Sequence, residues 1–155
     1  MLHLISRSIP EPNPALPEIA MRVDRQTIYK RRWRGRADDG TEFGVEVSAP
    51  LNHGDSVWES ETHRYVVQQS PESVVEISLS VAPSAAAGIG WAIGNMHLEL
   101  SADPTRLLAP DEPAVRQLLA RLQVPFTPTT AIFRPGRFAR GNQVLSHDLG
   151  PSLQH

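Results

Sequence analysis

Between Ser73 and Val81 every second position is apolar. Val75, Ile77, Leu79 and Val81 would line one face of an extended chain, which predicts a strand with one buried side. Further on the spacing changes. Val115, Leu118, Leu119 and Leu122 fall at i, i+3, i+4 and i+7, with Arg116 and Arg121 off the stripe. That predicts an amphipathic helix, with Asp111 as its cap and Pro113 in its first turn. Between the two, Pro83 and Ser84 open another helix running to about Ile93, with Ser84 as N-cap. Its wall is thin: Ala85, Ala86, Ala87, Gly88 and Gly90, each glycine costing roughly 1 kcal/mol against alanine. Close packing against a sheet or a second subunit is the expected compensation. Gly94-Asn95 reads as its stop. His97–Ser101, Thr105–Leu108 and Pro125–Phe133 read as further strands.

The first seventy residues are patterned differently. Met1–Ser6 reads as a short strand. Ser8–Pro17 carries four prolines and cannot be helical, because each deletes an amide donor. Gln26–Ala37 and Thr41–Ser48 read as a hairpin around Asp38-Asp39-Gly40. A two-residue Asp-Gly turn would set Arg36 opposite Phe43. A three-residue loop with a left-handed Gly40 sets Arg36 opposite Glu42, Trp33 opposite Val45 and Arg32 opposite Glu46. Cross-strand pairs of these kinds contribute roughly 0.2–1 kcal/mol each, so the second register is expected. Asn52-His53-Gly54-Asp55 reads as a turn, and Ser56–Glu59 and Arg64–Gln69 as strands. Gln68-Gln69-Ser70-Pro71 reads as a domain joint. The expected fold is α+β: an all-β domain over residues 1–70, a βαββαβ ferredoxin-like domain over 71–135, and a flexible polar tail over 136–155.

Composition narrows the function. The 155 residues include no cysteine, which removes disulfides, thiolate metal sites and cysteine nucleophiles. The formal net charge of -2 argues against a generally basic nucleic-acid binder. No apolar run is long enough for a membrane helix, and Met1–Pro10 lacks the pattern of a secretory signal, so a cytoplasmic protein is expected.

Lys30, Arg31, Arg32, Arg34 and Arg36, interleaved with Tyr29 and Trp33, form a basic run. With Glu42 and Glu46 opposite, it reads first as a salt-bridged solvated face. A protein-docking surface using Arg32 and Arg36 comes second, and nucleic acid last. Gly88, Gly90 and Gly94 miss the dinucleotide spacing and lie within a helix rather than at its start. No nucleophile–base pair can be named, so no enzyme is expected. The six histidines form no H-x-x-x-H or H-E-x-x-H pair. His97, following a helix stop, stands where a two-fold axis could bring two copies together, one imidazole from each chain.

Five segments, in order and at compatible spacings, resemble the UreE urease accessory family. They are Arg31-Arg32 with Asp38-Asp39-Gly40 and Glu42; Leu51-Asn52-His53-Gly54-Asp55; Pro71-Glu72-Ser73-Val74-Val75-Glu76; Gly94-Asn95-Met96-His97; and Pro125-Phe126. The resemblance implies an N-terminal domain related to peptide-binding modules of chaperones and a ferredoxin-like domain forming a head-to-head homodimer. It implies that His97 and its symmetry mate bind Ni2+, with zinc or copper as competitors, and that tail histidines such as His147 and His155 join or feed the site. It also implies delivery of nickel to the GTPase UreG and the urease apoprotein complex. A metal-independent adaptor in urease maturation is the alternative. Two departures stand out: Ala92 occupies a position that is histidine in many members, and Asp111 is followed by Glu112 and Pro113 instead of histidine. They bear on peripheral sites and total capacity, not on the central pair. Imidazole suits nickel, copper and zinc alike, and it binds only when neutral, so metal binding should weaken as pH falls.

Overall fold

The computed structural model describes residues 1–140 and 143–145. The chain divides into two compact units, Met1–Ser70 and Pro71–His155.

The first unit holds two three-stranded sheets. Strands β1 (Leu2–Ile5), β4 (Glu42–Glu46) and β3 (Arg32–Arg36) lie in the order β1-β4-β3, and β2 (Glu18–Val23), β6 (Arg64–Gln69) and β5 (Ser56–Glu59) in the order β2-β6-β5. The register of β3 on β4 is the one the three-residue loop requires, with Arg36 opposite Glu42, Trp33 opposite Val45 and Arg32 opposite Glu46. Gly40 adopts φ +90°, a conformation that disfavours any residue with a Cβ. The ion pairs Arg32–Glu46 (2.7 Å) and Arg36–Glu42 (2.8 Å) are solvent-exposed and contribute little. Burial decides the register: Phe43, Val45, Val47 and Trp33 all enter the core, joined by Met21, Val67 and Tyr65.

Two expectations for this unit need correction. Gln26–Ile28 is not extended; Arg25–Ile28 forms one helical turn (α1), because Asp24 accepts from the Thr27 amide at 2.7 Å and Ile28 drops into the core. The domain is therefore β-rich with a single helical turn. Strand β2, absent from the sequence reading, pairs parallel with β6, from Glu18 opposite Arg64 to Val23 opposite Gln69. Its apolar alternation (Ile19, Met21, Val23) was visible, but its partner is distant in sequence and no turn announces the pairing.

The hairpin loop also carries a pH-dependent contact. Asp39 accepts from the Thr41 amide (2.9 Å) and from the Tyr65 hydroxyl (2.7 Å), and these donors hold its carboxyl below the usual value. A folded value below the unfolded one, about 4, gives stabilisation that is present above the unfolded value. It is lost as pH falls through the folded value. Asp39→Asn is expected to lower stability at neutral pH and to flatten the decline below about pH 4, read by chemical denaturation across pH. An acid limb identical to that of the parent chain would refute the contact's role.

The second unit has the order β7 (Glu72–Ser78), α2 (Pro83–Asn95), β8 (Ser101–Ala102), β9 (Arg106–Pro110), α3 (Pro113–Arg121), β10 (Thr127–Ala131). Its sheet runs β10-β7-β9-β8, all antiparallel, which is the ferredoxin-like arrangement. Val75 and Ile77 face the helices, packing with Ile89, Ile93, Val115, Leu118 and Leu119. The opposite face of β7 is covered too: Val74 is fully buried with Leu108 and Phe133. Val81 lies beyond the end of β7 and is exposed, and so is Leu122, the last residue of the predicted helical stripe.

Both helix caps differ from expectation. The N-cap positions are Ala82 and Glu112, with no side-chain cap bond, and Pro83 and Pro113 open the helices. Ser84 therefore lies inside α2. Asp111 instead forms a two-bond pair with Arg116 (2.6 and 2.9 Å), whose guanidinium lies over the Phe126 ring. Within the stretch expected as a flexible tail, Phe138–Arg140 (β11) and Gln143–Leu145 (β12) pair antiparallel. No helix among the described residues is long and apolar enough to cross a membrane.

Candidate metal centre

His97 is set by the end of α2. The helix continues through Gly94 and Asn95, and Met96 is its cap. The His97 amide then donates to the Gly94 carbonyl (2.9 Å) and the Leu98 amide to the Ile93 carbonyl (3.2 Å). These two bonds define a Schellman motif, in which the residue after the cap turns left-handed. That residue is His97, with φ +57°. His97 does not open a strand, as its pattern suggests, and the helix does not stop at Gly94-Asn95; the strand begins only at Ser101. Leu98, partly buried, packs against the core that holds Ile93 and anchors the motif, leaving the His97 side chain exposed. Backbone strain by itself does not mark this residue as functional. Gln123 at the end of α3 has φ +56° and the same bond pair, to Ala120 and Leu119.

The surface leading up to His97 is apolar and low. Ile89 and Ile93 turn inward, while Trp91 is 70 % exposed and Met96 44 % exposed. A Cβ added at Gly88, Gly90 or Gly94 would meet nothing within 4 Å. Close packing against the chain's own sheet, one of the two expected compensations for the glycines, is therefore not what holds them. One large aromatic in an alanine- and glycine-rich helix is the signal in the sequence that points to Trp91.

Three other histidines are engaged within the N-terminal unit. His3 stacks between Phe43 and Trp58, with ring centroids 5.6 and 4.7 Å away. His53 accepts the Gln69 amide at Nδ1 (3.0 Å), and His63 bonds the Thr62 hydroxyl in the β5–β6 turn. All three serve the N-terminal unit. His147 and His155 lie outside the described residues. Ala92 packs against the core, and both oxygens of Asp111 are held by Arg116, whose hydrogen bond keeps that carboxyl below its usual value. Among the described residues no group of three His, Asp or Glu side chains is arranged to hold a metal ion. A single chain thus presents one free imidazole at this position, enough for a metal only when a second copy or another segment supplies more ligands.

Arg32 and Arg36, the expected partner-binding pair, are each tied to a glutamate across the hairpin. Arg34, between them, faces Gly44 instead.

Comparison with known proteins agrees with this organisation. Residues 72–155 match the family model described as the UreE urease accessory protein, C-terminal domain. The chain is 30 % identical to the urease accessory protein UreE of Chelativorans sp. (strain BNC1), covering 86 % of this chain and 87 % of that protein. It is 29 % identical to the UreE of Nitrosococcus oceani, over 87 % of this chain and 80 % of that protein. The UreE of Rhodobacter capsulatus is 27 % identical across all of this chain and 98 % of its own length. A ferredoxin-like C-terminal unit, an exposed histidine closing its first helix, and matches that run through both units have one explanation: the chain belongs to the UreE family of urease accessory proteins.

Proposed function

We propose that this protein is a cytoplasmic metallochaperone that carries Ni2+ for assembly of the urease active site and has no catalytic activity of its own. Two copies of the chain meet about a two-fold axis, and His97 from each holds one ion between them. The observation that carries this reading is the position of His97. It is solvent-facing, fixed by a Schellman motif, and approached over a helix wall of alanine and glycine with Trp91 exposed. A two-fold contact on such a surface duplicates every ligand, so one imidazole per chain becomes two. Two imidazoles leave coordination positions open for water, for His147 or His155, or for a ligand of the receiving protein. An underfilled site of this kind releases its ion by ligand exchange to the GTPase UreG and the urease apoprotein complex. Imidazole does not by itself distinguish nickel from zinc or copper, so geometry and availability set the cargo.

Titration of the chain with nickel by calorimetry, alongside light scattering, tests this. The expected result is about one tightly held Ni2+ per two chains, bound by a dimer. Monomeric chains each binding an ion, or chains binding none, would overturn it.

A metal-independent adaptor is the second reading. Its support is the Asp111 carboxylate committed to Arg116 and the alanine at position 92. Capture of the urease apoprotein complex at full strength in chelator, with full urease activation by a chain lacking His97, would favour it.

A further inference from the structure

The strand that follows His97 is short and stands at a sheet edge. β8 is two residues long, Ser101–Ala102, and is the last strand in the order β10-β7-β9-β8. Ser101 and Ala102 lie opposite Leu108 and Leu107 of β9, and the Asp103 amide continues the ladder by donating to the Arg106 carbonyl at 3.0 Å. In an antiparallel pair, successive residues turn their main-chain groups alternately toward the partner and away from it. With Asp103 turned toward β9, the Ala102 amide and the Leu100 carbonyl face outward along the edge. Both residues are partly buried against the helix-side core, where an unpaired main-chain group is costly.

The stretch after β10 meets those two groups. Phe133 is fully buried with Val74 and Leu108, and Pro135 is buried as well. Gly136 then adopts φ +82°. Its amide donates to the Leu100 carbonyl, and the Arg137 carbonyl accepts from the Ala102 amide, both at 2.8 Å. β11 begins at the next residue and pairs with β12. The edge of β8 is thus closed by main chain, and the closure depends on one left-handed glycine. His97 stands between two anchors. On one side are the bonds of the helix end, His97 to Gly94 and Leu98 to Ile93; on the other is Leu100, held by Gly136.

We propose that Phe133–Arg137 is a strap that positions His97 as a metal ligand, acting through main-chain bonds to Leu100 and Ala102. A ligand tethered on both sides has less conformational freedom to lose on binding, so the second anchor raises affinity. The strap itself follows from the geometry of this unit; its effect on the ion rests on the nickel reading above. Its role is distinct from any served by His147 and His155, which would supply donor atoms whether or not the preceding chain is docked.

The test uses the full chain. Without metal, amide hydrogen exchange followed by NMR should show Ala102 exchanging at least about tenfold more slowly than an unbonded amide. Gly136→Val puts a β-branched side chain at positive φ and should undock the strap; Gly136→Asn, which tolerates that conformation, should keep it. Ala102 exchange should therefore accelerate in the valine variant alone. In calorimetric nickel titration, Gly136→Val should bind about tenfold more weakly, as for loss of a group that orients a ligand, and Gly136→Asn should stay close to the parent. The same ratio should persist when His147 and His155 are both replaced by alanine. Exchange of Ala102 at the free rate in the parent chain would overturn the strap, and that measurement needs no variant. Faster Ala102 exchange in Gly136→Val with unchanged nickel affinity would overturn the positioning role. So would equal losses in the two Gly136 variants, or a loss that vanishes once the tail histidines are gone. A parent chain with a protected Ala102 amide that binds no nickel would overturn the nickel reading, and the positioning role with it.

Discussion

Replacing His97 by alanine is expected to abolish tight nickel binding, with affinity falling by at least about a hundredfold. The size follows from symmetry. One substitution in the chain removes two ligands from a site shared by two copies, and even loss of a group that merely orients a ligand costs about 10- to 100-fold. The backbone adds a sharper version of the experiment. His97 sits at φ +57°, where a side chain costs roughly 1–2 kcal/mol and glycine costs nothing of the kind. His97→Gly should therefore melt no lower than the parent chain while binding nickel as poorly as His97→Ala. Gln123, with the same geometry at the end of α3, is the internal control. Gln123→Gly should shift stability in the same direction and leave nickel binding intact. Calorimetric nickel titration together with thermal unfolding of the four proteins separates strain from ligation. Unchanged affinity and stoichiometry in His97→Ala would remove His97 from the site.

The largest effect on stability is expected from Phe43→Ala. Phe43 is fully buried in the first unit, edge-on to Tyr65 at 5.1 Å and near Trp58 and His3. Truncating a buried phenylalanine costs about 3–5 kcal/mol through lost burial and the cavity left behind. The rings around it are held on three strands and cannot collapse into that space. Denaturant unfolding should show a transition at lower denaturant with its slope preserved. A loss below about 1 kcal/mol would mean that these rings repack, contrary to the rigidity assigned to the sheet pair. Comparing Phe43→Ala with Asp39→Asn also ranks two kinds of contact. Burial of one ring should outweigh an exposed carboxylate holding two donors, at every pH.

The hairpin at Gly40 and the helix end at His97 illustrate two degrees of legibility. At the hairpin, the signals that point to the register lie within seventeen residues: a glycine for the left-handed position and apolar residues that share a face, with opposite charges consistent with it. The expected register therefore appeared residue for residue. At the helix end, the local signals pointed to Gly94-Asn95, since glycine and asparagine tolerate the left-handed conformation best. The chain stopped two residues later. Ile93 is buried in the core and Leu98 packs against it, and the motif joining them requires the intervening histidine to turn left-handed. Packing thus overrode conformational preference by an amount within reach of one partly buried leucine.

The candidate sites divide along the same line. That His97 mattered was readable from the Gly94-Asn95-Met96-His97 segment, because the feature lies in consecutive residues. That Arg32 and Arg36, but not Arg34, form a cross-strand ion pair among the described residues could be read only from the cross-strand partner of each arginine. Only the fold shows that two of those partners are glutamates and the third is glycine. Strand β2 and the burial of Val74 under Phe133 were hidden for a related reason: in each case the covering group lies some fifty residues away along the chain.

From its residue order alone, this chain reveals which segments are strands and helices when their partners are adjacent, the α+β character of the whole, and the family to which it belongs. Those properties arise from periodicity and from turn residues, which act over a few positions. Pairing between distant strands, the exposure of Trp91, the left-handed turn at His97 and the placing of Arg34 opposite Gly44 came into being only on folding. They depend on which side chains are brought together across the chain, and a linear pattern carries no distance between residues that are far apart in it.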